Sequence, residues 1–270
     1  MWWLAIAAGC YMFRGKIAEI AGRYVSRDKL TFFGHCACVI GSLLFIIPFE
    51  MLGFGAIKHL AWMAALWGHG AASMSMVAKN DPLPDFPTNL DFKNWKQSMA
   101  DVGVKFQPWL QNVLTRVDFH YLFFVLIFLA ASPTVVVVAL VGRRSFWVLC
   151  TDWEKTNSSN MIWSLVKPRW EALQAVGRKA IVEKCNLFEI GYGIWLVISL
   201  FLPTRQIFAC ILYWHFLKIR YQAGKHKDAW LFFDQTFGQK AVKAVPLLQK
   251  PLGMAKGWFQ PQVQYQYRPQ

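Results

Sequence analysis

Acidic residues are scarce in this chain of 270 residues, where 15 Asp and Glu stand against 29 Lys and Arg and leave a formal net charge of +14. Charged residues of both signs make up only 16%, whereas apolar residues reach 56%. A soluble domain usually carries roughly 45–50% apolar residues, so the composition argues for a bilayer as the solvent. Signatures of chemistry are missing too. There is no HExxH, no phosphate-binding glycine loop and no nucleophile–base constellation, which argues against an enzyme. No RNP-like strand, zinc-finger spacing or GxxG loop accompanies the positive charge, so anionic lipid headgroups are the expected partner and nucleic acid is not. CxxC is absent. The six cysteines (Cys10, Cys36, Cys38, Cys150, Cys185, Cys210) lie mostly in or beside apolar runs and read as small buried hydrophobes, with no disulfide framework. The opening Met-Trp-Trp lacks the leading positive charge of a secretory signal.

What is present is a paired pattern. The first apolar pair covers residues 30–78, with Pro48, Gly53 and Gly55 loosening its middle. The second covers 119–150 and breaks at Ser132–Thr134; the third covers 186–221 and breaks at Pro203–Gln206. Continuous apolar stretches such as Phe32–Phe54 and Phe119–Val141 exceed the roughly 18 residues that suggest a membrane span. Gly68, Gly70, Ala71, Ala72 and Ser73 would let two helices approach closely, as membrane helices do.

Around the pairs lie amphipathic segments. Residues 1–29 place Trp2, Ile6, Phe13, Ile17 and Ile20 at helical spacing, and their apolar part is too short to span. A second surface helix is expected from about Pro168 to Lys184, starting with the proline in its first turn. From Lys225 a third stripe, Trp230, Phe233, Phe237, Ala241, Val245 and Leu248, faces away from Lys225, Asp228 and Lys243; Pro246, Pro251 and Pro261 are expected to end regular structure in an extended tail.

Charge sets the expected orientation. If every pair enters and returns, only Lys58 and Arg205 fall on the far side, and the other 27 of 29 basic residues share one face, which the positive-inside bias makes cytoplasmic. Single crossings would strand the eight basic residues from Arg143 to Lys184 opposite the N-terminus. The expected architecture is therefore all-α: a polytopic membrane protein of three helical hairpins plus interfacial amphipathic helices, with residues 1–29, 30–224 and 225–270 as its N-terminal, membrane and tail parts. Trp230, Phe233, Phe237, Arg143, Arg144, Lys225 and Lys227 are the candidate membrane- and partner-binding residues. Ionisable residues within apolar stretches (His35, Glu50, His69, His120, Glu189, His215) are read as satisfied packing or interfacial groups, with a haem or pigment ligand as the sharper alternative. Asn186 and Cys185, one turn from Glu189, are its expected hydrogen-bond neighbours.

HYLFFVLIF at His120–Phe128 with Pro133 after it, Cys185-Asn186 opening the third pair, and YWHFLKIRY at Tyr213–Tyr221 resemble the transmembrane-protein-33 (Krüppel homologue 2) family, whose fungal relatives are nuclear pore-membrane proteins. The layout of KLTFFGHCACVIGSLLFIIPFE is similar, and the resemblance spans roughly residues 25–240. It implies an integral protein of the endoplasmic reticulum and nuclear envelope, without catalysis, that associates with membrane-shaping proteins and, in fungi, nuclear pores. It also implies a C-terminal amphipathic helix that aids membrane targeting, matched here by Lys225–Leu248. The expected function is a non-enzymatic membrane scaffold without a cofactor or a small-molecule substrate, whose partners are anionic membrane lipids and other integral membrane proteins. An accessory subunit of a large organellar membrane complex is the alternative.

Overall fold

The computed structural model describes residues 27–48, 55–84, 104, 106–156, 161–203 and 205–259. Among these residues the chain is entirely helical, without a strand. They fall into two compact units, the first within 1–129 and 133–158 and the second within 130–132 and 159–270.

The first unit holds α1 (Arg27–Ile46), α2 (Gly55–Asn80), α3 (Phe106–Val113), α4 (Val117–Leu129) and α5 (Val135–Lys155). α1 stops two residues before Pro48, as expected where a following proline disfavours helical backbone. α2 packs against α1, α4 and α5. Small residues set how closely α1 and α2 approach. A Cβ placed on Gly34 would meet the Gly68 carbonyl oxygen at 2.6 Å, and one on Gly68 would meet the Gly34 carbonyl oxygen at 2.6 Å. One turn pair further along, a Cβ on Gly41 would lie 2.7 Å from the Ala61 carbonyl oxygen. Without side chains between them the backbones touch, so dispersion contacts replace the hydrophobic drive that lipid removes. Phe45 on Trp62 and Phe124 on Phe128 fill the space beside the crossing, with ring centroids 5.8 and 4.8 Å apart.

Asp81, directly after α2, anchors α3. Its carboxylate accepts from Arg116 Nη2 at 3.1 Å and from the Asn112 amide, and its carbonyl oxygen accepts from the Trp109 indole at 3.0 Å. After the break at 130–134, α5 runs back to the start of α4, where Arg144 pairs with Asp118 and Arg143 donates to the Tyr121 hydroxyl at 3.3 Å.

The second unit holds α6 (Met161–Val176), α7 (Arg178–Ser199), α8 (Ile207–Gln222), α9 (Lys227–Phe233), a π turn (Asp234–Gly238), α10 (Gln239–Ala244), a 3-10 turn (Pro246–Leu248) and α11 (Gln249–Phe259). α7 and α8 form an antiparallel pair in which Gly193 is the point of close approach. A Cβ there would meet Leu217 Cδ1 at 2.7 Å, and the Gly193 carbonyl accepts from the Trp214 indole at 3.2 Å.

Three expectations change. The surface helix expected over 168–184 is divided: α6 begins at Met161 with Pro168 inside it, Gly177 at φ +89° ends it, and Lys184 belongs to α7. Only glycine adopts that backbone without strain, so the break is written at Gly177, not at the proline. The tail stripe is helical but is interrupted by the π turn that begins at Asp234. Pro251 does not end regular structure, because it stands third in α11, within the first turn whose N–H groups need no helical partner. The segment from Lys225 packs with α7 and α8.

By length and composition, one described helix, Asp28–Ile46, can cross a membrane, and α3 with α4 passes the same test only as a pair bent by 85°. The long apolar stretch Phe119–Val141 is cut by the bend at Ala130–Thr134 and is not one helix. Trp2, Ile6, Phe13, Ile17, Ile20, Glu50 and the 260–270 tail lie outside the described residues.

Gly34→Val is expected to lower stability by about 1–3 kcal/mol through overpacking against the Gly68 backbone. Gly55→Val, where nothing lies within 4 Å, should stay near wild type. Thermal unfolding of the detergent-solubilised chain reads the difference.

Candidate membrane and partner interface

The aromatic residues of the tail stripe are only partly free. Trp230 packs on Phe259 of α11 and on Trp214 of α8, with centroids 4.6 and 6.2 Å apart. Phe233 stacks on Phe237 at 5.3 Å, and Phe237 remains exposed. α11 folds back along α8: Phe259 meets Tyr221 at 5.6 Å, and Trp258 meets His215 at 5.3 Å with the Lys218 ammonium 4.5 Å from its ring. Lys225 and Lys227 are exposed, as is most of the basic set in this segment. The apolar residues left open here, Leu231, Phe232, Phe237, Leu247 and Met254, border these lysines, which is the composition of an interfacial surface.

Arg143 and Arg144 sit differently. Both are half-buried and are engaged inside the first unit: Arg144 pairs with Asp118 and lies over the Tyr121 ring at 4.7 Å, and Arg143 reaches the Tyr121 hydroxyl. The candidate residues thus divide, with Lys225, Lys227, Trp230, Phe233 and Phe237 on the tail of the second unit and the two arginines in the first.

The structure brings two flagged histidines together. His35 and His69, 2% and 0% exposed, both turn Nδ1 toward the Ser145 Oγ, at 3.0 and 2.8 Å. A serine hydroxyl has one proton. It can donate to one imidazole only, so at least one of the two rings donates its own Nδ1–H to the hydroxyl oxygen. Tyr121 packs edge-on against His69 at 5.6 Å. Both histidines stand out in the sequence, whereas Ser145, 110 residues from His35, does not. His120 donates to the Leu114 carbonyl at 2.7 Å and His215 to that of Ile211 at 2.9 Å.

Glu189 is fully buried, and its partners are not those of its own turn alone. Arg220 Nε lies 3.1 Å from its Oε2 and His226 Nε2 lies 2.8 Å away. Asn186 joins indirectly, accepting from the Arg220 guanidinium at 3.1 Å and donating to the Lys225 carbonyl at 2.8 Å. The Tyr213 hydroxyl donates to the Glu189 backbone carbonyl at 2.9 Å. This network ties α7, α8 and the first residues of the tail to one another. Arg220 and His226 escape a reading by apolar stretch, since one ends the third pair and the other follows it. Their only sequence signal is that a carboxylate within an apolar helix requires a cation. No group of three or more His, Cys, Asp or Glu able to hold a metal ion occurs among the described residues.

The model of the family described as Transmembrane protein 33/Nucleoporin POM33 matches residues 98–233, which take in Tyr213–Tyr221 and the whole Glu189 network. The first apolar pair, included in the resemblance of roughly 25–240, lies outside the matched range. No curated protein and no solved structure matches the chain.

Arg220→Met should destabilise by about 3–5 kcal/mol, because it strands a buried carboxylate. Lys256→Met, which breaks the exposed pair with Asp234 at 2.8 Å, should cost less than about 1 kcal/mol. Denaturant unfolding in mixed micelles separates the two.

Proposed function

The chain belongs to the transmembrane protein 33/nucleoporin POM33 family and is a membrane protein, and from that premise we propose that it is a non-enzymatic scaffold of the endoplasmic reticulum and nuclear envelope. Three helical hairpins enter mainly from one leaflet. The amphipathic segments α6 and α9–α11 lie at the cytoplasmic surface, and the basic residues on that face hold anionic lipid and dock other integral membrane proteins.

One observation carries this reading: the distribution of charge along antiparallel helices. In the second unit Arg205 stands at the turn between α7 and α8, while Arg178, Lys179 and Lys184 open α7 and Lys218 and Arg220 close α8. Lys58, near the turn between α1 and α2, repeats the arrangement in the first unit, opposite Lys79. The apolar part of α7, residues 186–199, spans roughly 21 Å at about 1.5 Å per residue. That is shorter than a hydrocarbon core of about 30 Å, which suits a shallow hairpin that widens one leaflet. Tail residues Trp230, Phe233, Phe237, Lys225 and Lys227 serve the surface contact in this reading, and Arg143 and Arg144 brace the second hairpin.

The topology is tested by thiol accessibility in sealed microsomes. Single cysteines at Thr156 and Met254, in a background without the native thiols, should react with an impermeant reagent from the outside, and one at Arg205 should not. Opposite labelling of Thr156→Cys and Met254→Cys would remove the hairpin arrangement. For the tail, Phe233→Asp with Phe237→Asp should reduce cross-linking of the full-length chain's C-terminal segment to a photoactivatable phosphatidylserine by several-fold; undiminished cross-linking counts against a lipid contact there.

A further inference from the structure

Gly224, at φ +74°, reverses the chain after α8 and delivers His226 into the Glu189 network, where the ring is fully buried. Its Nε2 lies 2.8 Å from Glu189 Oε2 and 2.9 Å from Arg220 Nε. One proton arrangement suits both neighbours. With Nε2 protonated the ring donates to Glu189, and the Arg220 Nε–H turns to the same carboxylate oxygen, 3.1 Å away. Nδ1 is then a bare lone pair, buried and without a hydrogen-bond partner.

A second proton could enter the ring only at Nδ1. Glu189 from α7 is already balanced by Arg220 from α8, so that proton adds a net positive charge in a place without water. On the tail itself Lys225 contributes its carbonyl to Asn186, and Asp228 is exposed and turned to solvent. Burial, reinforced by the Arg220 charge and opposed by Glu189, holds His226 below the ordinary imidazole range.

From this geometry we propose that His226 is an acid-released clasp. With the ring neutral, residues 227–259 stay folded on α7 and α8; once the ring is doubly protonated it leaves the network, and the aromatic face of Trp230, Phe233 and Phe259 comes free. The sign follows from linkage. The open form carries an imidazole of ordinary pKa near 6.5, whereas the clasped form binds the proton only at lower pH. The open form therefore takes up more protons as pH falls below about 6.5, and the clasped form loses ground by up to about tenfold per pH unit. Above that pH the clasp is at full strength. The clasp is built within the second unit and does not depend on how the hairpins enter the membrane.

Hydrogen exchange tests it, on the full-length chain in phosphatidylcholine nanodiscs at about pH 7.5 and about pH 5.5, with rates corrected for the intrinsic effect of pH on amides. Protection of residues 227–259 should fall about tenfold in acid. His226→Gln should abolish the difference. His215→Gln, which alters the other histidine against this segment, should leave it intact. Equal protection of the wild-type tail at both pH values, a pH difference that survives His226→Gln, or one that disappears in His215→Gln would overturn the clasp.

Discussion

The Glu189 carboxylate, buried between Arg220 at 3.1 Å and His226 at 2.8 Å, is the interaction on which the second unit depends. A carboxylate without water must find cations and hydrogen-bond donors within the fold, and removing one of them leaves an uncompensated charge. The three groups come from α7, α8 and the turn into the tail, so satisfying the charge fixes the register of two helices and the direction of everything after Gly224. Asn186 accepts from the Arg220 guanidinium and Tyr213 donates to the Glu189 backbone carbonyl. The tail is thus attached through polar chemistry at its root and through aromatic contacts at its end, where Phe259 meets Trp214, Trp230 and Tyr221.

The first unit answers a related constraint by other means. Glycines and alanines bring the backbones of α1 and α2 into contact, and the gain is close packing that lipid cannot supply. The same approach brings His35 and His69 to Ser145, so that one hydroxyl on α5 links both helices of the pair. Gly142 belongs to the same design: a Cβ there would meet the Ser42 hydroxyl at 2.6 Å. Asp118 and Tyr121 hold Arg143 and Arg144 in the middle of α5, where the long basic side chains cover aromatic surface and their heads find partners.

Both units therefore place polar chemistry at helix contacts and leave apolar side chains such as Phe33, Leu43, Leu60, Phe201 and Phe208 outward. An exposed apolar surface of this kind is a liability in water and an asset in a bilayer. Family membership agrees with that solvent. The basic bias of the connectors and tail gives the proposed scaffold its orientation, and the tail's attachment governs how much of its aromatic surface a lipid or partner can meet.

Composition and periodicity by themselves pointed to an all-helical membrane protein and marked where its apolar pairs break; the motifs at 120–128 and 213–221 carried the family resemblance. Small residues at 68–73 announced a close helix contact, because glycine and alanine at a helix interface have few other uses. Helix ends were less legible. Gly177 lies inside the helix expected over 168–184, and only its positive φ reveals it as the break between α6 and α7. Pro251 reads as a stop, yet in a first turn it costs no hydrogen bond. Partners were the least legible of all: Ser145 for His35 and His69, Asp81 for Arg116, and His226 for Glu189 lie 35 to 110 residues apart in the chain. A residue's own neighbours specify that a buried charge needs compensation, but which side chain supplies it is decided only when the helices pack, since compensation acts over a few ångströms in space and has no period in the sequence.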